Sequence, residues 1–182
     1  MALSATERLT EMFDKNRKIR ALSNLVSAER GRFNLPIDDW REEARLLHKQ
    51  RTVKNLNPSS ATFARQLANA VVNETAVRSR LTEMLAQTTN VSRLLKDYLS
   101  AVEGYLITNY ASELSSVLKT VKDRERFVEV YMREYWKLLA GMENFLAELQ
   151  FYVTDIDKAG YGTRVISDVF IAVFKAEGRV DL

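Results

Sequence analysis

The chain has 182 residues, of which 46% are hydrophobic and 28% charged, and its formal net charge is +3. This is ordinary for a globular protein with one core or two small ones. The absence of cysteine excludes disulfides, thiolate metal sites and cysteine nucleophiles. Because no apolar run reaches signal-peptide or membrane-spanning length, we expect a protein with no membrane partner that is cytoplasmic or assembled into a particle formed in the cytoplasm.

Basic residues are concentrated near the N-terminus. Residues 1 to 56 hold 12 Lys and Arg against 8 Asp and Glu, a net charge of +4, whereas residues 121 to 182 hold 9 against 11, a net charge of −2. Basic clusters attract phosphate, but lysine and arginine also simply solvate exposed helices, so both interpretations stay open. The residues that would contact a nucleic acid are Lys15, Arg17, Lys18, Arg20, Arg45, Lys49, Arg51 and Lys54.

The first predicted helix spans residues 4 to 30. Ser4 and Glu7 have the spacing of a capping box, in which each side chain satisfies a free backbone N–H of the first turn. Gly31 supplies a stop signal, because glycine readily adopts the left-handed conformation that follows many helices. These two signals bracket a single helix.

A second helix is predicted to begin after Asp38, a plausible N-cap, and to run to Asn57. It ends there because the residue before Pro58 is disfavoured in helical conformation. We therefore predict two parts of the chain: a basic N-terminal arm of two helices over residues 1–57, and a helical bundle core over residues 58–182.

A regular apolar stripe follows Pro58. Alternate steps of four and three residues from Phe63 to Tyr105 reach thirteen positions, of which ten are apolar beyond alanine. This coiled-coil-like spacing is typical of a helix that packs along another helix, and it predicts one long helix near residues 60 to 108. The stripe keeps its phase through the polar segment Gln87–Asn90, so we predict no hairpin there.

A second stripe runs from Val117 to Ile156, where eleven of twelve positions at the same spacing are apolar. It predicts a helix near residues 116 to 157, antiparallel to the previous one, after a turn between about residues 108 and 116. Six aromatic residues lie between Val130 and Val153 of this helix. We expect Tyr135, Trp136 and Phe145 to be largely buried, because rings on a helix seam cover large apolar areas.

Gly160 and Gly162 are predicted to end this long helix. The segment 163–177 is rich in β-branched residues, which favour a strand, but its apolar spacing favours a short final helix, and the chain offers no partner strand. The predicted fold is therefore all-α. It is an elongated helical bundle built on two long antiparallel helices, with an N-terminal helical arm and a short C-terminal helix.

Catalytic signatures are missing from the sequence. His48 is the chain's one histidine, whereas a dinuclear carboxylate site or a hydrolytic zinc site would need further ligands of this kind. Neither of the glycine-rich loops that cradle phosphate occurs. We therefore expect a protein that is not an enzyme, with no catalytic residues, no metal, no cofactor and no small-molecule substrate.

The segment GYGTRVISDVF, from Gly160 to Phe170, follows a long helix that carries aromatic residues. It resembles the C-terminal segment of the phage recombination mediators, and the resemblance covers about twenty of the 182 residues. These mediators are small helical oligomers that bind single-stranded DNA and load a recombinase. The resemblance implies a helical oligomer with a nucleic-acid partner.

Two functions are consistent with these patterns. The long apolar stripes favour a non-enzymatic assembly or scaffold protein that forms homo-oligomers or joins a larger protein assembly, such as a component of a phage virion or another nucleoprotein particle. The basic N-terminal residues favour a nucleic-acid-binding accessory protein that resembles a recombination mediator. The sequence by itself names neither the partner nor the oligomeric state.

Overall fold

A computed structural model describes residues 5–17, 20, 33–51 and 62–176 of the chain. All regular secondary structure within these residues is helical, which confirms the predicted all-α helical bundle. The described helices, in chain order, are α1 (Ala5–Lys15), α2 (Ile37–Lys49), α3 (Phe63–Asn109), α4 (Ala111–Val117), α5 (Val121–Tyr131) and α6 (Arg133–Ala176).

The first helix is interrupted. α1 ends at Lys15 and Asn16 is not helical, whereas Arg17 and Arg20 are helical again, so the prediction of a single helix over residues 4 to 30 is contradicted at Asn16. Asparagine is one of the weaker helix formers, because its side chain competes for backbone hydrogen bonds. The predicted cap at Ser4 and the stop at Gly31 lie outside the described residues.

α2 begins two residues earlier than predicted and also ends earlier. Its N-cap is Pro36 and not Asp38, and no side chain caps the helix. Asp38 instead stands in the first turn, where the positive end of the helix dipole stabilises a carboxylate. The helix ends at Lys49, so the predicted run to Asn57 is wrong as far as the described residues extend.

α3 confirms the prediction from the apolar stripe. It runs from Phe63 to Asn109 without interruption, and the polar segment Gln87–Asn90 lies inside it. Its buried residues follow the predicted stripe up to Thr88, and beyond it every second position shifts by one residue. Leu95 and Val102 are buried as predicted, whereas Ser92, Leu99 and Leu106 are buried instead of Val91, Tyr98 and Tyr105. A helix with 3.6 residues per turn drifts by about 20° per heptad from a 3.5-residue stripe, which explains the shift.

The helix predicted over residues 116 to 157 is divided into three. α4 ends at Val117, and Thr120 then caps α5, its hydroxyl oxygen accepting the backbone N–H of Asp123 at 3.1 Å. A further irregularity at Met132 separates α5 from α6. Tyr110 alone separates α3 from α4, and it lies within the range of residues 108 to 116 where the turn was predicted.

Gly160 and Gly162 do not end a helix, because α6 continues through both to Ala176. The predicted break and the separate C-terminal helix are therefore wrong, whereas helix rather than strand is correct for residues 163–176. Each glycine costs a helix about 1 kcal/mol relative to alanine. That cost is too small to end a helix whose inner side stays packed at Ile156 and Thr163.

Packing divides the described chain into two units, a division that the sequence did not suggest. The first unit combines residues up to Leu35 with Thr88–Asn144, and the second combines Pro36–Gln87 with the residues from Phe145 onward. Each unit thus contains part of α3 and part of α6. The predicted boundary between residues 57 and 58 lies outside the described residues, so the division into an arm and a core stays a prediction.

Phe13 of α1 is the centre of the core of the first unit. Its ring is fully buried and lies 5.4 to 5.5 Å from the rings of Tyr110, Phe127 and Tyr131. The edge-on and tilted orientations of these rings are those that aromatic pairs prefer. Phe13 therefore anchors α1 to the rest of the unit.

The core of the second unit is built by α2, α3 and α6. It is formed by Ala44, Val77, Leu81, Met84, Phe145, Leu149 and Ile156. Phe145 is fully buried, as predicted, whereas Tyr135 and Trp136, which belong to the first unit, are only half-buried. Of the three rings predicted to be largely buried, Phe145 alone is completely buried.

Side-chain pairs show the direction of the helices in the second unit. Two pairs join α2 to α6, and both partners advance by seven residues from one pair to the next, so these helices are parallel. Two other pairs join α2 to α3 with opposite progression, so these helices are antiparallel. α3 is therefore antiparallel to α6 here, as predicted. The four pairs are Arg41–Glu148, His48–Asp155, Glu43–Arg80 and Arg51–Glu74.

Candidate functional site

The predicted basic residues of the first unit are exposed and lie at the end of α1. Lys15 forms an ion pair with Glu11 one turn earlier. Arg20 donates from Nη2 to the backbone oxygen of Lys15 at 3.1 Å, and Arg17 is exposed. Lys18 lies outside the described residues. Exposed lysine and arginine side chains of this kind are compatible with phosphate binding and with simple solvation.

The predicted basic residues of the second unit do not share one environment. Arg45 is held by Glu42, to which it donates from Nε and Nη2 at 3.1 and 2.9 Å. Lys49 is exposed, whereas Arg51 is buried. Lys54 lies outside the described residues. Phosphate binding by this set stays a prediction, and Arg51 would have to leave the core to take part.

Arg51 is the centre of a buried ionic network that the sequence analysis did not identify. Its Nε donates to both carboxylate oxygens of Glu74 at 2.9 Å, and its Nη1 donates to Asp155. The side chain of Arg51 is completely buried and that of Glu74 is 9% exposed. Burial acts to lower the pKa of Arg51, but the hydrogen bonds and charges of Glu74 and Asp155 outweigh it and raise that pKa. The guanidinium therefore joins the end of α2 to both long helices.

His48 completes this network from the last turn of α2. Its Nε2 lies 2.8 Å from Oδ2 of Asp155, and an ionised carboxylate only accepts, so this nitrogen carries the proton. The imidazole also stacks on Tyr152 with 4.6 Å between ring centroids. These two contacts hold the imidazole of His48 against α6. Within the described residues, no group of three or more His, Asp or Glu side chains could hold a metal ion.

Glu74 offered the one sequence signal for this network. It interrupts the apolar stripe of α3 at a position that faces the core. A carboxylate buried at such a position requires a cation, because an unpaired buried charge is too costly. The sequence could not show which of its basic residues supplies that cation.

A second feature of this unit is an exposed apolar face on α6. We define the outer face of α6 as Phe151, Tyr161, Val165 and Val169, which are 65%, 73%, 45% and 59% exposed. The buried residues Ile156 and Thr163 mark the opposite side of the same helix. Val165 stands two residues after Thr163, which is about 200° around a helix, so the outer face points away from the core.

The outer face of α6 is unusual because large apolar side chains normally face inward. Its four side chains together expose roughly 450 Å², which is the size of the largest apolar patches on typical monomers, and such patches are often functional. Lys158 is the charged residue in its middle. The spacing of Val165 and Val169 is visible in the sequence, where it favours a helix over a strand but does not indicate that this side of the helix is exposed.

These features define the class of the protein as an all-α helical bundle with an exposed apolar face and a buried ionic network. No helix in the described part of the chain is long and apolar enough to cross a membrane. No protein-family model, no curated protein and no solved structure matches this chain. The evidence for function is therefore the chemistry of its own surfaces.

Proposed function

We propose that this protein is a non-enzymatic helical assembly protein whose copies join through the outer face of α6. The observation that supports the proposal is the position of Phe151, Tyr161, Val165 and Val169 on the side of α6 that faces away from its core. Water-exposed side chains of this size and number favour association with another apolar surface.

The area of the outer face suits a specific protein contact. A standard interface buries about 800 Å² on each partner, of which somewhat more than half is apolar. The roughly 450 Å² exposed here supplies that apolar share. At about 25 cal/mol per Å², removing this area from water contributes roughly 11 kcal/mol, which is comparable with the cost of about 4 to 15 kcal/mol that association pays in lost freedom. The apolar area that the partner contributes adds to this gain.

Light scattering at micromolar concentration tests the proposal. The wild-type chain should have a mass that is a multiple of 20.9 kDa. Val169→Glu should reduce it to a single chain, because it places a charge in the contact. Val130→Glu is the matched control, since Val130 is also an exposed valine, 55% exposed, but belongs to α5 in the first unit. A wild-type chain that stays monomeric would contradict the proposal.

Membership of a phage virion or another nucleoprotein particle stays a prediction from the sequence. So does nucleic-acid binding as a recombination-mediator-like accessory protein. The described basic residues do not favour nucleic-acid binding over simple solvation, because one of them is buried and others form ion pairs with neighbouring carboxylates.

A further inference from the structure

α3 also carries an exposed, uncharged face in the second unit, made of small and apolar residues. We define the outer face of α3 as its exposed, uncharged residues between Arg65 and Glu83 on the side opposite the core. Val72 is 70% exposed, and it stands two residues after the buried Ala70, about 200° around the helix. The residues of the outer face of α3 are Ala68, Val71, Val72, Thr75, Ser79 and Thr82.

The hydroxyl group of Thr75 does not make this face polar. Its Oγ1 donates to the backbone oxygen of Val71 at 2.8 Å, within the same helix. The hydroxyl group of Thr75 therefore donates its proton within α3 and not to solvent. Ala68 and Thr82 are fourteen residue steps apart, or about 21 Å at 1.5 Å per step. The ends of the outer face of α6 are eighteen steps apart, or about 27 Å, so the two faces have similar lengths.

The two outer faces cannot cover each other within one copy. α3 and α6 pack together in this unit through their inner sides, with Val77 and Leu81 in the same core as Leu149 and Ile156. Each outer face lies about 200° from buried residues of its own helix. Both faces therefore point away from the shared core and do not meet within one copy.

We infer that the outer face of α6 in one copy docks on the outer face of α3 in the next copy. This inference rests on the proposed function and names the surface that the partner contributes. The side chains are complementary in size, because α6 presents large residues such as Phe151 and Tyr161, while α3 presents mainly small ones such as Ala68 and Ser79. Small residues let two helices approach closely.

The charge of Lys158 disfavours the simplest alternative, a symmetric contact between two α6 faces. Lys158 stands near the middle of the face, which extends from residue 151 to residue 169. In an antiparallel symmetric pair, the two Lys158 residues would lie about 6 Å apart along the helix axis, and like charges repel when they are desolvated together. The charged residues of α3 between Arg65 and Glu83 lie off its outer face, because Glu74 pairs with Arg51, Arg78 with Asp157 and Arg80 with Glu43.

A contact between two different faces has a consequence for the assembly. Each copy offers one α6 face and one α3 face, so a bound pair still has one free face of each kind. Such contacts continue until they close into a ring or form a filament, whereas a symmetric contact stops at two copies. We therefore expect assemblies of more than two chains.

The test uses one variant for each face, studied alone and mixed. Val169→Glu blocks the α6 face and Val72→Glu blocks the α3 face, and each variant alone should be monomeric by light scattering. In an equimolar mixture, the intact α3 face of the first variant meets the intact α6 face of the second. The mixture should then form a complex of one copy of each, with twice the chain mass of 20.9 kDa.

Other results would overturn the inference. If Val72→Glu keeps the wild-type mass while Val169→Glu is monomeric, and the mixture forms no complex, the contact does not use α3. Ser79→Arg on the same face must give the same result as Val72→Glu, and circular dichroism must show a folded chain for each variant. A monomeric wild-type chain would instead reject the proposed function, so the two failures are distinguishable.

Discussion

Replacing Glu74 with leucine should destabilise the second unit strongly, because it leaves a buried arginine without its main partner. Both oxygens of Glu74 accept from Nε of Arg51 at 2.9 Å. After the substitution Arg51 would keep only Asp155, which is 37% exposed. Nη2 of Arg51 already lacks a hydrogen-bond partner among the described residues, so the guanidinium has little compensation available.

The expected cost follows from the burial of the pair. Removing one partner of a buried ion pair typically costs about 3 to 5 kcal/mol, because a buried charge stays uncompensated. Replacing both partners with apolar residues of similar size is often neutral. The double variant Arg51→Met with Glu74→Leu should therefore be more stable than Glu74→Leu alone, although it carries one change more.

Urea unfolding followed by tryptophan fluorescence measures this difference. The chain has two tryptophans, Trp40 in the second unit and Trp136 in the first. A Trp136→Phe background therefore makes the emission report on the second unit alone. With a slope of about 2 kcal/mol per molar urea, the midpoint should fall by about 1.5 to 2.5 M for Glu74→Leu.

The matched control breaks an exposed ion pair of the same unit, between α3 and α6. Arg78 donates to Asp157 at 2.6 and 3.3 Å, and both side chains are about half exposed. Asp157→Asn should leave the midpoint almost unchanged, because exposed pairs contribute little. The reasoning is refuted if Glu74→Leu shifts the midpoint no more than this control, or if the double variant is less stable than Glu74→Leu.

Three further predictions concern the two cores. Phe145→Ala should destabilise the second unit by about 3 to 5 kcal/mol through the cavity it leaves, and unchanged urea unfolding of Trp40 emission would contradict its burial. Phe13→Ala should have a similar effect on the first unit and should release α1, measured as faster hydrogen exchange in that helix; unaltered exchange would argue against the anchor. Burial and the nearby carboxylate of Asp14 raise the pKa of Tyr131 to about 12. This pKa exceeds the value of about 10 for tyrosine in the unfolded chain. Protonated Tyr131 therefore stabilises the folded state fully below pH 10, and this contribution to stability is lost as the pH rises towards 12. Ultraviolet titration should show a late tyrosine that Tyr131→Phe removes, and an unchanged curve would contradict the assignment.

The long helix α3 shows how much of the fold the sequence predicts. The periodic spacing of its apolar residues is a local feature, and it correctly predicts that the helix continues through the polar segment Gln87–Asn90. The glycines of α6 show the limit. Gly160 and Gly162 are local stop signals, but the packing of residues such as Ile156 outweighs a helix-propensity cost of about 1 kcal/mol per glycine.

The candidate site was less predictable than the fold. Arg51 was grouped with Arg45 and Lys49 because all three are basic residues of one segment, and nothing in the segment itself distinguishes a buried arginine from an exposed one. Its burial results from the docking of α2 against α3 and α6, where Glu74 and Asp155 meet it. Partners 23 and 104 residues away are set by tertiary structure.

The sequence by itself determined the all-α class and the length of α3, because hydrophobic periodicity and helix propensity act over a few neighbouring residues. The tertiary structure alone decided which sides of the long helices are covered. Phe151 and Val169 have the same apolar character as the core residues Phe145 and Leu149, and only the positions of α2 and α3 leave the first two exposed. Burial depends on what the rest of the chain places beside a residue, and local sequence does not contain that information.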